Sequence, residues 1–173
     1  GSLYKGFKPV LWSTVEKTAL ADAEVEYQDH KSDTIYASFP VKSSNIKELN
    51  DSEIVIWTTT PWTIPANKAL AYNQSLEYLL IEVNDDGDFK NKKIVIADAL
   101  IDSVVKDNKI QNFKKLKNFK GKDLKGTICN HPFLKLGYEY DIPMLEAHFV
   151  TTEQGTGIVH CAPSHGPDDF NLC

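Results

Sequence analysis

WTTTPWTIPAN, Trp57 to Asn67, is the stretch from which the rest of the chain is read. It ends the apolar run Ile54-Val55-Ile56-Trp57, whose β-branched composition is that of a strand. Two prolines, Pro61 and Pro65, then forbid a regular strand or helix from continuing through them. The hydroxyls of Thr58, Thr59 and Thr60, with several freed backbone N–H groups, are therefore held on a kinked, rigid strand end. A second stretch, GTGIVHCAPSHGPDDF (Gly155 to Phe170), leaves a Gly-Thr-Gly turn and runs through Ile158-Val159-His160 into a loop closing on Asp168-Asp169. The first stretch offers neutral donors and acceptors, the second carboxylates. Folded together they suit a small substrate carrying an amino group and an ester or amide. Neither contains an obvious nucleophile–base pair.

Around these two stretches the chain alternates like a β protein. Lys8 to Ser13 has the pattern of a strand, and Ala23 to Tyr27 with Thr34 to Val41 that of a hairpin across the polar turn Asp29 to Asp33. Glu53 to Thr59, Tyr78 to Val83 and Lys93 to Ile96 are further strands. Ala97, Leu100, Ile101, Val104 and Val105 recur at helical spacing. Gly126 to Pro132, Ile142 to Val150 and Gly157 to Ala162 complete the strand candidates. Pro167 followed by Asp168 and Asp169 fits the first turn of a helix. No internal repeat or low-complexity linker divides the chain. The expected fold is mainly β, a closed barrel with a few peripheral α-helices, because closure removes exposed strand edges. Gly1-Ser2 is read as a cloning scar, and residues 3–173 as one domain excised from a longer chain, since the sequence stops inside the last helix.

Composition narrows the function classes. At 173 residues the chain can bury one substantial core, and 42% hydrophobic with 25% charged residues is ordinary for a soluble globular domain. No run approaches the length of a membrane span. Cys129, Cys161 and Cys173 are odd in number without CxxC spacing, so neither a disulfide framework nor a zinc site is expected, and a reducing cytoplasm is the default compartment. The net charge is −5, and all 19 basic residues are lysine. Phosphates would be met by point charges and backbone amides, without guanidinium forks.

Each chemical feature has a plainer reading beside it. Threonine runs occur in ordinary strands, but the flanking Trp57, Pro61, Trp62 and Pro65 are a costly arrangement for a simple strand end. Asp168-Asp169 could merely complement a helix dipole, and His160 on an apolar strand could be a satisfied core residue. No pair of histidines has HxxxH spacing and no GxSxG is present, which disfavours a zinc hydrolase and a serine esterase of the α/β-hydrolase type. Between positions 114 and 125, Lys114, Lys115, Lys117, Lys120, Lys122 and Lys125 face a single acidic residue, Asp123. That stretch is either a solvated face or the place where a polyphosphate backbone docks.

Taken in order, KPVLWS (Lys8 to Ser13), TALADAEVEY (Thr18 to Tyr27), WTTTPWTIPAN, HPF (His131 to Phe133) and GTGIVHCAPSHGPDDF resemble the editing domain of class I aminoacyl-tRNA synthetases for branched aliphatic amino acids. The resemblance covers nearly the whole chain. The KPV-WS opening favours the isoleucyl branch over the valyl and leucyl ones, which stay as alternatives. HIGH and KMSKS-type signatures are absent, so ATP and Mg would belong to a synthetic domain elsewhere, and this domain would use no cofactor and no metal.

The resemblance implies post-transfer editing. A pocket rejects a substrate one methylene smaller by only about 1–3 kcal/mol, and isoleucine against valine is itself the standard worked case of that limit. A second site must then hydrolyse the valyl ester while excluding isoleucine by size. By resemblance, Asp169 matches the carboxylate that holds the substrate's α-ammonium. Thr58, Thr59 and Thr60 match a threonine wall that contacts the aminoacyl group and positions water. His160 matches a residue lining the side-chain pocket, and Asn67 a position tied to editing. Trp62 and Thr63, in the same motif, count with the substrate-binding residues. The implied partners are the 3′ end of a mischarged tRNA and the rest of the synthetase chain, with Lys114, Lys115, Lys117, Lys120 and Lys122 on the tRNA backbone, no membrane and a monomeric state. A non-catalytic tRNA-binding module and a free-standing deacylase are the rival classes.

Overall fold

The run Ile54-Val55-Ile56 is buried on both faces, the signature of a strand with neighbours on either side and layers above and below. A computed structural model describes residues 3–173 and shows how that burial arises; the proposed scar at Gly1-Ser2 lies outside the described residues. In chain order the strands are β1 (Trp12–Ser13), β2 (Thr18–Ala19), β3 (Ile35–Ser43), β4 (Glu53–Thr58), β5 (Ala69–Tyr72), β6 (Glu77–Val83), β7 (Lys93–Ala97), β8 (Phe113–Lys120), β9 (Ile128–Asn130), β10 (Asp141–Glu146) and β11 (Ile158–Cys161). Two short helices, α1 (Ile101–Asp107) and α2 (Pro167–Leu172), and several single 3-10 turns join them.

Nine strands form one mixed sheet in the order β11-β5-β10-β9-β3-β4-β7-β6-β8, and β1 pairs with β2 separately. The architecture is mixed α/β and mostly β. The expected closed barrel is not what the pairing gives, because no hydrogen-bonded ladder joins the two ends among the described residues. β11 pairs with β5, and β4, the strand it approaches, is held by antiparallel β3 along its whole length but by parallel β7 only at Glu53 and Ile54. The sheet nevertheless curls until β11 packs against β4. Ala97 N–H donates to Thr156 O at 2.8 Å and Tyr78 Oη donates to Gly157 O at 2.8 Å, fastening the turn before β11 to β6 and β7. Gly157 has φ +73, and a Cβ there would lie 2.4 Å from Ala97 Cβ. Only glycine permits so close an approach.

The expected hairpin between Ala23 to Tyr27 and Thr34 to Val41 does not form. Residues 22–24 make a 3-10 turn, and β3 pairs with β4 and β9 instead. Lys8 to Ser13 is a strand only at Trp12–Ser13. The apolar core is continuous from Phe39 on β3 through Ile54 and Ile56 on β4, Leu80 on β6, Ile94 and Ile96 on β7, to Ile142 on β10.

Candidate functional site

Past Thr58 the strand cannot continue, and the chain turns through the 3-10 segment Pro61–Ala66, with Pro61 at its first position. Thr63 closes that turn twice: its N–H meets Thr60 O at 3.0 Å and its hydroxyl donates to the same carbonyl at 2.8 Å. Thr58 Oγ1 accepts the Thr60 N–H at 3.1 Å. The three threonines thus shape the corner as well as line it.

From the other side, β11 and the N-terminus of α2 approach the same corner. Trp57, Thr58, Thr60, Trp62 and Thr63 face Val159, His160, Ala162, His165 and Asp169 across a cleft of about 340 Å³. Two stretches a hundred residues apart therefore do converge. Thr59 departs from the expected grouping. It lines a neighbouring groove of about 250 Å³ with Phe149, Gln154 and Gly155, and Trp57, Thr58 and Val159 form the ridge between the two. Alternation along the strand end sends adjacent side chains to opposite sides. Asn67 is not in the cleft wall either; it is fully buried behind His160.

The hydrogen bonds around His160 fix its proton. Asn67 Nδ2 donates to Ala69 O at 2.9 Å, which orients the amide, and its other hydrogen points to His160 Nδ1 at 3.1 Å. Nδ1 must then be the acceptor, and the proton resides on Nε2, which donates to Thr63 Oγ1 at 2.7 Å. The Thr63 hydroxyl can accept because its own hydrogen goes to Thr60 O. Burial is the main cause that lowers the His160 pKa to about 4, with His165 and His131 adding repulsion. The ring is neutral near pH 7, a wall with a fixed face. Asn67 Oδ1, by contrast, is buried without a partner among the described residues.

Asp169 lies half-buried in the first turn of α2, with Asp168 exposed beside it. Its Oδ2 accepts the Ala162 N–H at 2.8 Å, which ties α2 to the end of β11. Burial is the leading cause that raises its pKa, the Ala162 hydrogen bond opposes that, and Asp168 adds to it. No lysine bridges it among the described residues.

Lys114, Lys115, Lys117 and Lys120 of the lysine stretch lie on β8, the edge strand of the sheet, against β6, while Lys122 and Lys125 belong to the 3-10 turn Gly121–Leu124 and its end. Three of these cations are already matched: Lys117 to Glu48 at 2.7 Å, Lys120 to Glu77 at 2.6 Å and Lys115 to Asp98 at 3.9 Å. Lys114, Lys122 and Lys125 remain exposed, with no bridged carboxylate among the described residues. Among the described residues no cluster of His, Cys, Asp or Glu is arranged to hold a metal, and no helix is long and apolar enough to cross a membrane. Cys129 and Cys161 are buried thiols, their pKa values raised by burial.

The family model "tRNA synthetases class I (I, L, M and V)" matches residues 1–154, and the chain belongs to that family. Within it, the chain is similar over its whole length to isoleucine–tRNA ligases: 79% identical to that of Pelagibacter ubique (strain HTCC1062) and 48% to that of Gluconobacter oxydans (strain 621H). It spans 19% of the length of each of those relatives. Among solved structures, GlLeuRS-CP1 superposes with a TM-score of 0.62 at 16% identity, over 80% of this chain and 58% of that one. The editing domain of the P. knowlesi cytosolic leucyl-tRNA synthetase does so at 0.61 and 13%, over 79% and 59%. The fold is therefore that of these leucyl-tRNA synthetase editing domains.

Two residues that hold the turn behind this cleft have no role assigned by the sequence motifs. His131 donates from Nε2 to Ile64 O at 2.9 Å, and Tyr140 donates from its hydroxyl to Asn67 O at 3.0 Å. The HPF motif flagged the first without a function, and nothing local in the sequence marks the second.

Proposed function

We propose that this chain is the editing domain of an isoleucyl-type synthetase, and that the cleft between the threonine corner and Asp169 hydrolyses the ester of valine mischarged onto the isoleucine tRNA. The observation that carries the reading is the environment of Asp169. One carboxylate oxygen accepts a backbone N–H, no lysine among the described residues bridges the group, and it opens on a cleft of amino-acid size. The α-ammonium of an aminoacyl ester supplies the missing cation through a charge-assisted hydrogen bond, and holding it orients the ester.

The ester then lies against Thr58 and Thr60. Neutral His160 offers its ring as a wall, and its Nε2 proton is already committed to Thr63. No side chain is placed as nucleophile and base together, so the attacking water is positioned by the site with the terminal ribose hydroxyl of the tRNA. Valine fits this space, and the extra methylene of isoleucine must overfill it, at a cost of about 1–3 kcal/mol. The same wall would admit other small noncognate groups. The tRNA 3′ end and the rest of a longer synthetase are the partners, with ATP and Mg acting in its synthetic part and the cytoplasm as the compartment. Lys114 and Lys122, the unbridged lysines of the tentative tRNA set, are the better candidates for phosphate contact.

Hydrolysis of Val-tRNA and Ile-tRNA by the full-length ligase, with and without Asp169→Asn, tests this. Loss of Val-tRNA cleavage in the variant is expected. Full activity in it removes Asp169 from the ammonium-binding role, and no cleavage by the wild type returns the domain to a non-catalytic tRNA-binding role.

A further inference from the structure

The Pro61–Ala66 turn is short of its own hydrogen bonds. Pro61 and Pro65 have no N–H to give to it. Two donors from the segment between β9 and β10 hold its C-terminal end instead, at Ile64 O and Asn67 O. His131 is 1% exposed, and its Nδ1 accepts the Phe133 N–H at 3.0 Å. Its proton therefore sits on Nε2, aimed at Ile64 O. Its ring stacks on Tyr138, with centroids 4.6 Å apart and planes 16° from parallel, and meets Phe39 edge-on. Tyr140, immediately before β10, donates to Asn67 O, and Lys68 Nζ rests 3.8 Å from its ring centroid.

Ile64 O also receives the Asn67 N–H at 3.0 Å. One donor from this segment thus reaches the carbonyl that holds Asn67 N–H, and the other reaches the Asn67 carbonyl itself. Asn67 in turn presents its amide to His160 Nδ1. A continuous path of directed hydrogen bonds runs from the aromatic cluster behind the turn to the imidazole in the cleft wall.

We propose that His131 and Tyr140 form a clamp on the Pro61–Asn67 turn that sets, through Asn67, the position of the His160 ring, making them positioning residues for size selection. The inference rests on the hydrolytic reading of the cleft. A misplacement well under an ångström at Asn67 tilts the ring and changes the space left for the substrate's side chain.

Tyr140→Phe is the cleanest test: it removes one hydroxyl and keeps the ring and its lysine. In the full-length ligase this variant is expected to narrow the Val-tRNA to Ile-tRNA hydrolysis ratio about fivefold or more through kcat, with KM nearly unchanged. His131→Phe should act in the same direction. His131→Gln, whose amide nitrogen reaches the place of Nε2, should restore most of the ratio. The second readout is independent of activity: ring-nitrogen NMR of His160 in the 173-residue chain. The wild type should show the Nε2–H form, and Tyr140→Phe should shift both ring nitrogens toward a tautomer mixture. A ratio held within about twofold in Tyr140→Phe overturns the proposal, because a merely structural hydroxyl changes stability and not selection. A wild type that cleaves neither ester ends the hydrolytic reading instead, and unmoved His160 ring nitrogens then overturn the clamp on their own.

Discussion

His160 Nε2 lies 2.7 Å from Thr63 Oγ1, and with Asn67 on Nδ1 the ring has both nitrogens occupied by partners from the same turn. A histidine held this way is neither a free base nor a metal ligand. Its use is its shape, and the residues that grip it are the ones that follow the threonine corner in the sequence.

That environment makes stability depend on pH. The pKa is lowered from 6.5 to about 4, chiefly by burial, so the unfolded chain binds a proton that the folded ring refuses. Stability should be fully present above about pH 6.5, fall as pH drops toward 4, and level below it. His131, also lowered by burial, adds to the same fall. Urea unfolding at pH 7.5 and 4.5 checks this: His160→Gln should lessen the loss between the two. An equal loss in the variant would remove His160 as a cause.

Asp169 should show the opposite sign. Its folded-state pKa is raised, so the ionised carboxylate costs stability as pH rises through that value. Asp169→Asn keeps an acceptor for the Ala162 N–H and removes the charge. It should abolish binding of a valyl-adenosine ester analogue while the unfolding midpoint at pH 7 stays level or rises. A clear fall in midpoint, with analogue affinity kept, would make the residue structural. Asp168→Ala should matter less, since Asp168 is exposed.

Gly157 tests how closely the turn before β11 must approach β7. Gly157→Ala places a Cβ 2.4 Å from Ala97 Cβ in a residue with φ +73. The clash and the left-handed backbone together should cost about 2–4 kcal/mol of stability. Thermal or urea unfolding measures it, and a loss below about 0.5 kcal/mol would mean that the two strands can part freely.

Much of this was legible in the residues, for physical reasons that differ by element. β4 could be read from Ile54-Val55-Ile56, and the proline-bounded corner from Pro61 and Pro65. β8 could not. Its apolar residues Phe113, Leu116 and Phe119 stand three apart, and the pairing with β6 explains why: Leu80 faces Lys117 and Ile81 faces Lys115, so Leu116 is the extra residue of a bulge that breaks the period of two. β5, Ala69–Tyr72, is buried at all four positions and so shows no alternation. The lysine cluster looked unneutralised because Glu48, Glu77 and Asp98 come to it from other strands and turns. Within the site, the family resemblance singled out Asp169 and His160, which their residue chemistry alone left open, and the division of the threonines between two clefts and the buried position of Asn67 depend on contacts across a hundred residues.

The bridged lysines lead to a salt experiment. Replacing Lys114, Lys122 and Lys125 with serine should weaken tRNA binding and reduce the slope of log K against log salt by about 0.7–0.9 for each phosphate no longer neutralised. Replacing Lys115, Lys117 and Lys120 removes cations already matched by carboxylates and should change the slope less. Equal slopes in wild type and both triple variants would leave the lysine stretch a solvated face.

The most direct test of the cleft as a size-selecting hydrolytic site is the rate of ester cleavage of Val-tRNA and Ile-tRNA by the full-length ligase, wild type against His160→Ala. The wild type should cleave the valyl ester about ten- to a hundredfold faster than the isoleucyl one. Removing the imidazole should open the wall and let Ile-tRNA be cleaved at a rate near that of Val-tRNA. A variant that spares Ile-tRNA and cleaves Val-tRNA as the wild type does would contradict the account.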